Sequence, residues 1–473
     1  MEIQTSRRFN RVGVDENTLA IIDATDSLDT QDANDDRIAF LEAVRVSFIA
    51  SDNGTPPTNK IYEAVFHILR ICKSLELIMG SYLLLNKLDK RFHRVYRSKL
   101  PSNDKVELVV VDEAWSPFVL MDCASNEKEL AGKKSSAPID STGFHKLIQD
   151  LAEVVIETNL QAADNKSLGN MLLFQYLVSV LDGDFVPRNC MYNETMNWTL
   201  LRESLLNMLL GSRRINYKAL IKDCLSILCG LFHVCAERSD TRSPENPVAK
   251  SSDDYDKAVA IASIENLKST STAMQKLLVM IMELDASRKI ADMESLTSRA
   301  DGVRTPLVEI ILDELTYNRD ILSPFLQVFN EPKWKGEIIL QYFLKYIVKP
   351  TVRTRRSNGS PDEATFNGVL KSFSNSTSTK SMIKKIDTEA VQLLLAHAFQ
   401  AHFALLSSLH DDGIFDSEGE MRGTSFAEIC KNIISAFESL RRTDKNMEIL
   451  PLGREALFTA GTKLSMNFIT HKQ

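Results

Sequence analysis

Few residues in this chain have the type and spacing to do chemistry. The densest group is CLSILCGLFHVC, which brings Cys224, Cys229, His233 and Cys235 within twelve residues. Thiolate and imidazole are the ligands zinc prefers, and four suffice for a tetrahedral site. On a helix turning about 100° per residue, however, Cys224 and Cys235 share one side while Cys229 and His233 lie opposite. Diverging ligands cannot close on one ion, so the spacing predicts a core helix whose cysteines pack as small apolar groups. His397 and His402, in LLLAHAFQAHFALL, sit five apart and point about 140° away from each other. Zinc hydrolases space their histidines by four with a glutamate after the first, which is absent here. Partly buried, hydrogen-bonded helix histidines are expected instead. Glu309 and Asp313 fall on one helix face as paired carboxylates would, but no third catalytic group stands near them in the sequence.

The phosphate-cradling and nucleophile motifs are missing together: no G-x-x-x-x-G-K-[ST] loop, no G-x-G-x-x-G turn and no G-x-S-x-G elbow. The 18 glycines are dispersed singly. The expectation is a non-enzyme without cofactor or metal. One basic run remains, KPTVRTRR, with Lys349, Arg353, Arg355 and Arg356 just beyond an expected helix end. Such a run can neutralise phosphates, serve nuclear import or meet a partner. It can equally be solvated, since helix C-termini attract basic residues. Arg213-Arg214 is a weaker instance of the same pattern.

The elements that must carry these residues are helices. Residues 296–356 are the most legible stretch. Thr305-Pro306 reads as a hydroxyl N-cap followed by proline at the first helical position. Asp320 or Ser323-Pro324 opens a second helix, and Pro332 opens a third that is apolar on nearly all sides and therefore expected to be internal. Further helices are expected from about 58 to 92, then over 143–158, 166–182, 194–211, 214–236, 255–287, 387–408, 424–441 and 454–468, with Thr58 or Asn59 capping the first. VELVVVDEAW at 106–115 reads as an isolated extended connector.

Over 473 residues, the 44% hydrophobic and 25% charged content is that of an ordinary folded domain protein. A net charge of -7 does not suit a protein binding nucleic acid over its whole surface. Seven cysteines without framework spacing fit a reducing compartment. No apolar run approaches a membrane span, and Arg7, Arg8 and Arg11 have no apolar segment behind them as a signal peptide would. Residues 1–35 are expected to be a flexible lead-in and 36–470 a helical scaffold. Mobile inserts are expected near 122–142, 237–254, 354–382 and 409–423. Helix-pair spacings drift around the roughly 40 to 47 residues of armadillo and HEAT units. The fold expected is all-α, an irregular armadillo/HEAT-like α-solenoid, with a compact irregular helical domain as the alternative.

Several stretches resemble one family: PPTNK at 56–60, VDEAWSPF at 111–118, LGNMLLF at 168–174, YNETMNW at 192–198, TSRADGVRTP at 297–306, FLQVFNEPKWK at 325–335 and EILPLGREALFTAG at 448–461. The likeness is to the plant negative regulators of systemic acquired resistance, and it runs from about Glu16 to the end, fading in the inserts. It implies a nuclear armadillo-like protein restraining pathogenesis-related transcription and linked to homologous recombination and DNA damage responses. The family is similar to a non-SMC element of the structural-maintenance-of-chromosomes five/six complex. The implied partners are that complex, including a second helical non-SMC element, and transcription or chromatin factors. No membrane partner is expected, and contact with nucleic acid would be indirect. The alternative is a repressor touching DNA directly through the local basic patch. The resemblance brings no catalytic residues.

Overall fold

A computed structural model describes residues 31–50, 55–99, 106–111, 113–120, 138–156, 165–240, 253–298, 301–347, 365–411 and 419–470. The fold is all-α and solenoid-like, with few short strands. The chain divides into two compact units, residues 1–307 and 308–473.

The first unit contains α1 (Gln31–Arg45, extended by a π turn over Val46–Ala50), α2 (Asn59–Ile71) and α3 (Leu75–Arg91). Strands β1 (Val95–Lys99), β2 (Val106–Val110), β3 (Phe118–Val119) and β4 (Ile139–Asp140) follow. Then come α4 (Ser141–Ile156), α5 (Asn165–Thr195), α6 (Trp198–Arg202), α7 (Leu205–Gly211), α8 (Tyr217–Asp240) and α9 (Asp253–Met293). Its centre is α5, buried continuously from Met171 to Val178 and packed by α2, α3, α4, α6, α9 and β1. A helix enclosed on every side has no polar face to show, which is why its amphipathic signature vanishes.

Sequence reasoning ends this helix at 182, before Gly183 and Pro187, yet it continues to Thr195. A proline inside a helix costs about 3 kcal/mol in a lost bond and a carbonyl clash. Long-range contacts outweigh that here. Phe185 and Tyr192 are fully buried, and Tyr192 donates its hydroxyl proton to the Ser287 carbonyl of α9 at 2.9 Å. Asp184 accepts from the Leu205 amide beyond the helix at 2.7 Å, while its pairing with Arg188 at 3.0 Å is local, one turn along the same helix. A buried carboxylate thus caps α7 from outside its own segment.

The same device recurs beside Thr305-Pro306. Helix α10 (Leu307–Tyr317) starts one residue later than the hydroxyl-cap reading expects. The acceptor at its first amide is Asp285 of α9, at 2.8 Å from the Leu307 nitrogen. Arg304 holds that carboxylate at 2.6 Å and lies over the Tyr217 ring. A charged cap anchored by arginine satisfies the free amides of a helix start more strongly than a neutral hydroxyl.

Other boundaries shift for similar reasons. α1 begins at Gln31, inside the flexible lead-in expected over 1–35. The 194–211 segment is two helices, because Asn197 and Ser204 each cap a new start with a side-chain oxygen. The 106–115 segment is not isolated: β2 pairs antiparallel with β1, Val95 opposite Val110. β1, VYRSK, carries no alternating apolar pattern and escapes a sequence reading. Gly230 lets α8 close on α4, where a Cβ would stand 2.2 Å from Val155 Cγ1.

The second unit contains most of α10, a 3-10 turn (Arg319–Ile321), α11 (Leu322–Val328), α12 (Pro332–Tyr346), α13 (Phe366–Ser372), α14 (Ser376–Ile386), α15 (Thr388–Asp411), α16 (Gly419–Thr443) and α17 (Pro451–Thr470). Its centre is α15, against which α11, α12, α14, α16 and α17 pack. By length and composition Thr388–Ser408 could cross a membrane, but half of that window is buried inside the unit. α12 buries one face, through Trp334, Ile338, Ile339, Tyr342 and Phe343, and leaves Leu340 and Leu344 half-exposed, so it is less enclosed than its composition suggests. Within the expected insert at 354–382, two helices form from residue 366 onward. Thr365 accepts from the Gly368 amide, and Asn375 from Thr377 and Ser378. Thr365 and Asn375 of this stretch thus serve as helix caps. Residues 121–137, 241–252 and 412–418 of the other expected inserts lie outside the described residues.

Candidate interaction cleft

One concavity of the first unit is a cleft of about 520 Å³ where the start of α2, the end of α3 and the strands meet. Pro56, Tyr62, Phe92, His93, Tyr96 and Trp115 line it, with Asp89 and Arg94 at its base. Two segments singled out in the sequence, PPTNK and VDEAWSPF, both contribute to its lining. Tyr62 stacks on Trp115 with centroids 5.5 Å apart and rings nearly parallel, and Phe66 meets Trp115 edge-on at 5.3 Å.

The turn that delivers Trp115 is strained. Glu113 has φ +64°, a left-handed conformation costly for a residue with a side chain. It is held there by the Asn59 side-chain amide, which donates to the Glu113 carbonyl at 3.0 Å. Asn59 therefore does not cap α2; Thr58 stands at the N-cap position without a side-chain bond. Beneath the aromatics, Arg94 donates to the Trp115 carbonyl at 3.0 Å and pairs with Asp89 at 3.0 Å. Burial pushes the Asp89 carboxyl up against the pull of Arg94. Arg91 donates to the Ile49 carbonyl at 2.7 Å. The cations at the base thus serve the scaffold, while Tyr96, Val111 and His93 stand exposed on the rim. An aromatic floor with committed charges and a mixed rim suits recognition of a chain segment.

The other sequence candidates separate in space. Cys224 and Cys229 are buried in α8, and burial pushes the Cys224 thiol well up and that of Cys229 up to about 12. The His233 and Cys235 side chains lie outside the described residues. Among the described residues no group of three or more potential ligands gathers for a metal. His397 is buried with neither ring nitrogen hydrogen-bonded, which corrects the expectation of a bonded histidine. Burial, with Lys335 nearby, lowers it to about 3, so it packs as a neutral ring. His402 instead stacks with Phe426. Asp313 pairs with Lys345 at 3.2 Å on the surface, while Glu309 stays exposed. Arg214 reaches Asp140 at 3.7 Å. Lys349, Arg353, Arg355 and Arg356 lie outside the described residues.

Sequence reasoning missed Tyr62, Arg94 and Trp115 as one assembly. The available signal was that PPTNK and VDEAWSPF carry more polar and proline content than their neighbours need, but nothing in the sequence joins segments so far apart.

Residues 92–331 match the SNI1 middle domain family and residues 347–468 the SNI1 C-terminal domain family. The chain is 48% identical over 465 residues, 97% of each chain, to the negative regulator of systemic acquired resistance SNI1 of Arabidopsis thaliana. No solved structure matches the chain.

Proposed function

Since this chain belongs to the SNI1 family, we propose that it is a negative regulator of systemic acquired resistance, acting as a non-enzymatic nuclear scaffold. It docks as a subunit of the structural-maintenance-of-chromosomes five/six complex, beside a second helical non-SMC element, and so restrains pathogenesis-related transcription, homologous recombination and DNA damage signalling. The observation that carries the regulatory reading is identity of 48% along nearly the full length of both chains, which leaves no room for a changed fold. The scaffold reading is supported by chemistry. The carboxylates of buried Asp184 and half-buried Asp89 and Asp285 are each taken up by an arginine, and Asp184 and Asp285 also cap helix starts. None is left free to act as a base.

Two experiments test this. Expression in plants lacking the Arabidopsis relative should restore repression of defence genes; failure to do so at equal protein level sinks the regulatory reading. Reconstitution with the complex subunits should give stoichiometric co-purification. Arg353, Arg355 and Arg356 changed to alanine should leave that docking intact. Absent subunits, with DNA bound by the wild type and not by the variant, would favour the direct repressor instead.

A further inference from the structure

Helix α14, Ser376–Ile386, has one face turned into the second unit through Thr379, Met382 and Ile386, all buried. The opposite face carries Thr377, Lys380, Ser381 and Lys384, at spacings of three and four that align them along one side of a helix. Lys385 stands next to it, also exposed. Lys380 and Lys384 are about 6 Å apart along the axis. The helix contains no carboxylate at all, and none of its three lysines makes an ion pair among the described residues. Arg319 adds a fourth cation at its C-terminal end, where it donates to the Lys385 carbonyl at 2.7 Å and lies exposed. The nearest acid in sequence, Asp387, is occupied in capping α15 through the Ala390 amide at 2.7 Å. Lys371 of α13, by contrast, is neutralised by Glu428 at 2.9 Å.

We propose that this face of α14, with Arg319, is a contact surface for the phosphate backbone of duplex DNA. Charge complementarity is local and works against the overall charge of -7. Two features favour nucleic acid over an acidic protein. The face interleaves ammonium groups with hydroxyls, the donor set that positions proteins on phosphate and sugar. It also offers no exposed large hydrophobic residue, whereas protein interfaces need an apolar core and are poor in lysine. The contact is sequence-independent, because nothing on the face reaches for base edges. It does not rest on membership of the chromosome complex, and it differs from the run at 349–356 in being built on an ordered helix.

The test is fluorescence anisotropy of a labelled mixed-sequence duplex with the full-length protein, across a salt series. With three to four phosphates neutralised, wild-type affinity should fall roughly 40- to 150-fold between about 50 and 200 mM salt. The variant with Lys380→Ala, Lys384→Ala and Lys385→Ala should lose about 2 to 3 from the slope of log affinity against log salt. All three changes lie off the buried face, and unchanged circular dichroism will show the helix intact. Lys→Arg changes at the same positions should keep the wild-type slope. An unchanged slope in the alanine variant, or no wild-type binding at low salt, overturns the proposal. So does displacement of the duplex by polyglutamate at equal charge, which would assign the face to an acidic protein. Loss of DNA binding with retained co-purification of the complex subunits would separate this surface from the docking surface.

Discussion

Replacing Gly230 by alanine probes a close helix approach in the first unit, that of α8 on α4. A Cβ there would lie 2.2 Å from Val155 Cγ1, where ordinary contact begins at 3.4 Å. The helices must part, or Val155 must turn, by about 1.2 Å. Val155 is 6% exposed, and its branched side chain has few other rotamers available in a helix. Overpacking costs about 1 to 3 kcal/mol, and an overlap of about 1.2 Å against a side chain with few rotamers belongs to the upper part of that range, about 2 to 3 kcal/mol. Against it stands a gain of about 1 kcal/mol from replacing glycine by alanine within a helix. The expected net effect is destabilisation of the α4–α8 pair by about 1 to 2 kcal/mol, the steric cost winning. The assay is native-state hydrogen exchange read at α4 and at residues 217–232 of α8, which reports local opening without assuming that the two units unfold together. Exchange there should speed up roughly five- to thirtyfold, while the second unit is unchanged. Val155→Ala, placed on the same background, should relieve the clash, giving a favourable coupling above about 1 kcal/mol. Slower exchange in Gly230→Ala, or two mutations that simply add, would mean that the close approach does not constrain the pair and would refute the argument.

Asp285→Ala should destabilise the first unit by about 3 to 5 kcal/mol, because it strands the buried Arg304 guanidinium and the Leu307 amide together; thermal denaturation with Asp285→Asn as the milder comparison measures it. Burial lowers His67 to about 4 and His397 to about 3, from an unfolded value near 6.5, so the charged forms are penalised only in the fold. Their contribution is therefore intact above pH 6.5 and is lost as pH falls from there, towards about 4 for His67 and about 3 for His397, and His67→Phe should flatten part of the acid limb of a stability–pH curve. Lys335, lowered by burial to about 8, adds a separate rise in stability between pH 8 and about 10.5 that Lys335→Met should abolish. Under native conditions a maleimide should label half-buried Cys190 before Cys224 or Cys229, with mass spectrometry of the modified peptides as the readout. Arg94→Met should free the Trp115 carbonyl and unpair Asp89, and the resulting change in tryptophan fluorescence would report collapse of the cleft; an unchanged spectrum would refute its role in positioning Trp115.

The sequence by itself determined what depends on neighbours in the chain. Apolar stripes at helical spacing fixed the core of α2 and α8. The family stretches pointed to a regulator, and the diverging faces of Cys224 and Cys229 follow from helix geometry alone. Tertiary structure decided whatever depends on partners distant in sequence. Pro187 ends a helix in isolation but not when Tyr192 and Asp184 are anchored across the core. Thr305 reads as a cap until Asp285 arrives from another helix to take the amide. VYRSK becomes a strand only because β2 lies beside it, and the Ser- and Thr-rich piece after 365 folds because α15 and α16 cover its few apolar residues. Asn59 and Glu113 meet only in the fold, and with them the cleft. Local propensities are worth tenths of a kcal/mol per residue, whereas leaving a buried charge without its partner or removing a buried aromatic ring costs several, so where the two disagree the long-range contact prevails.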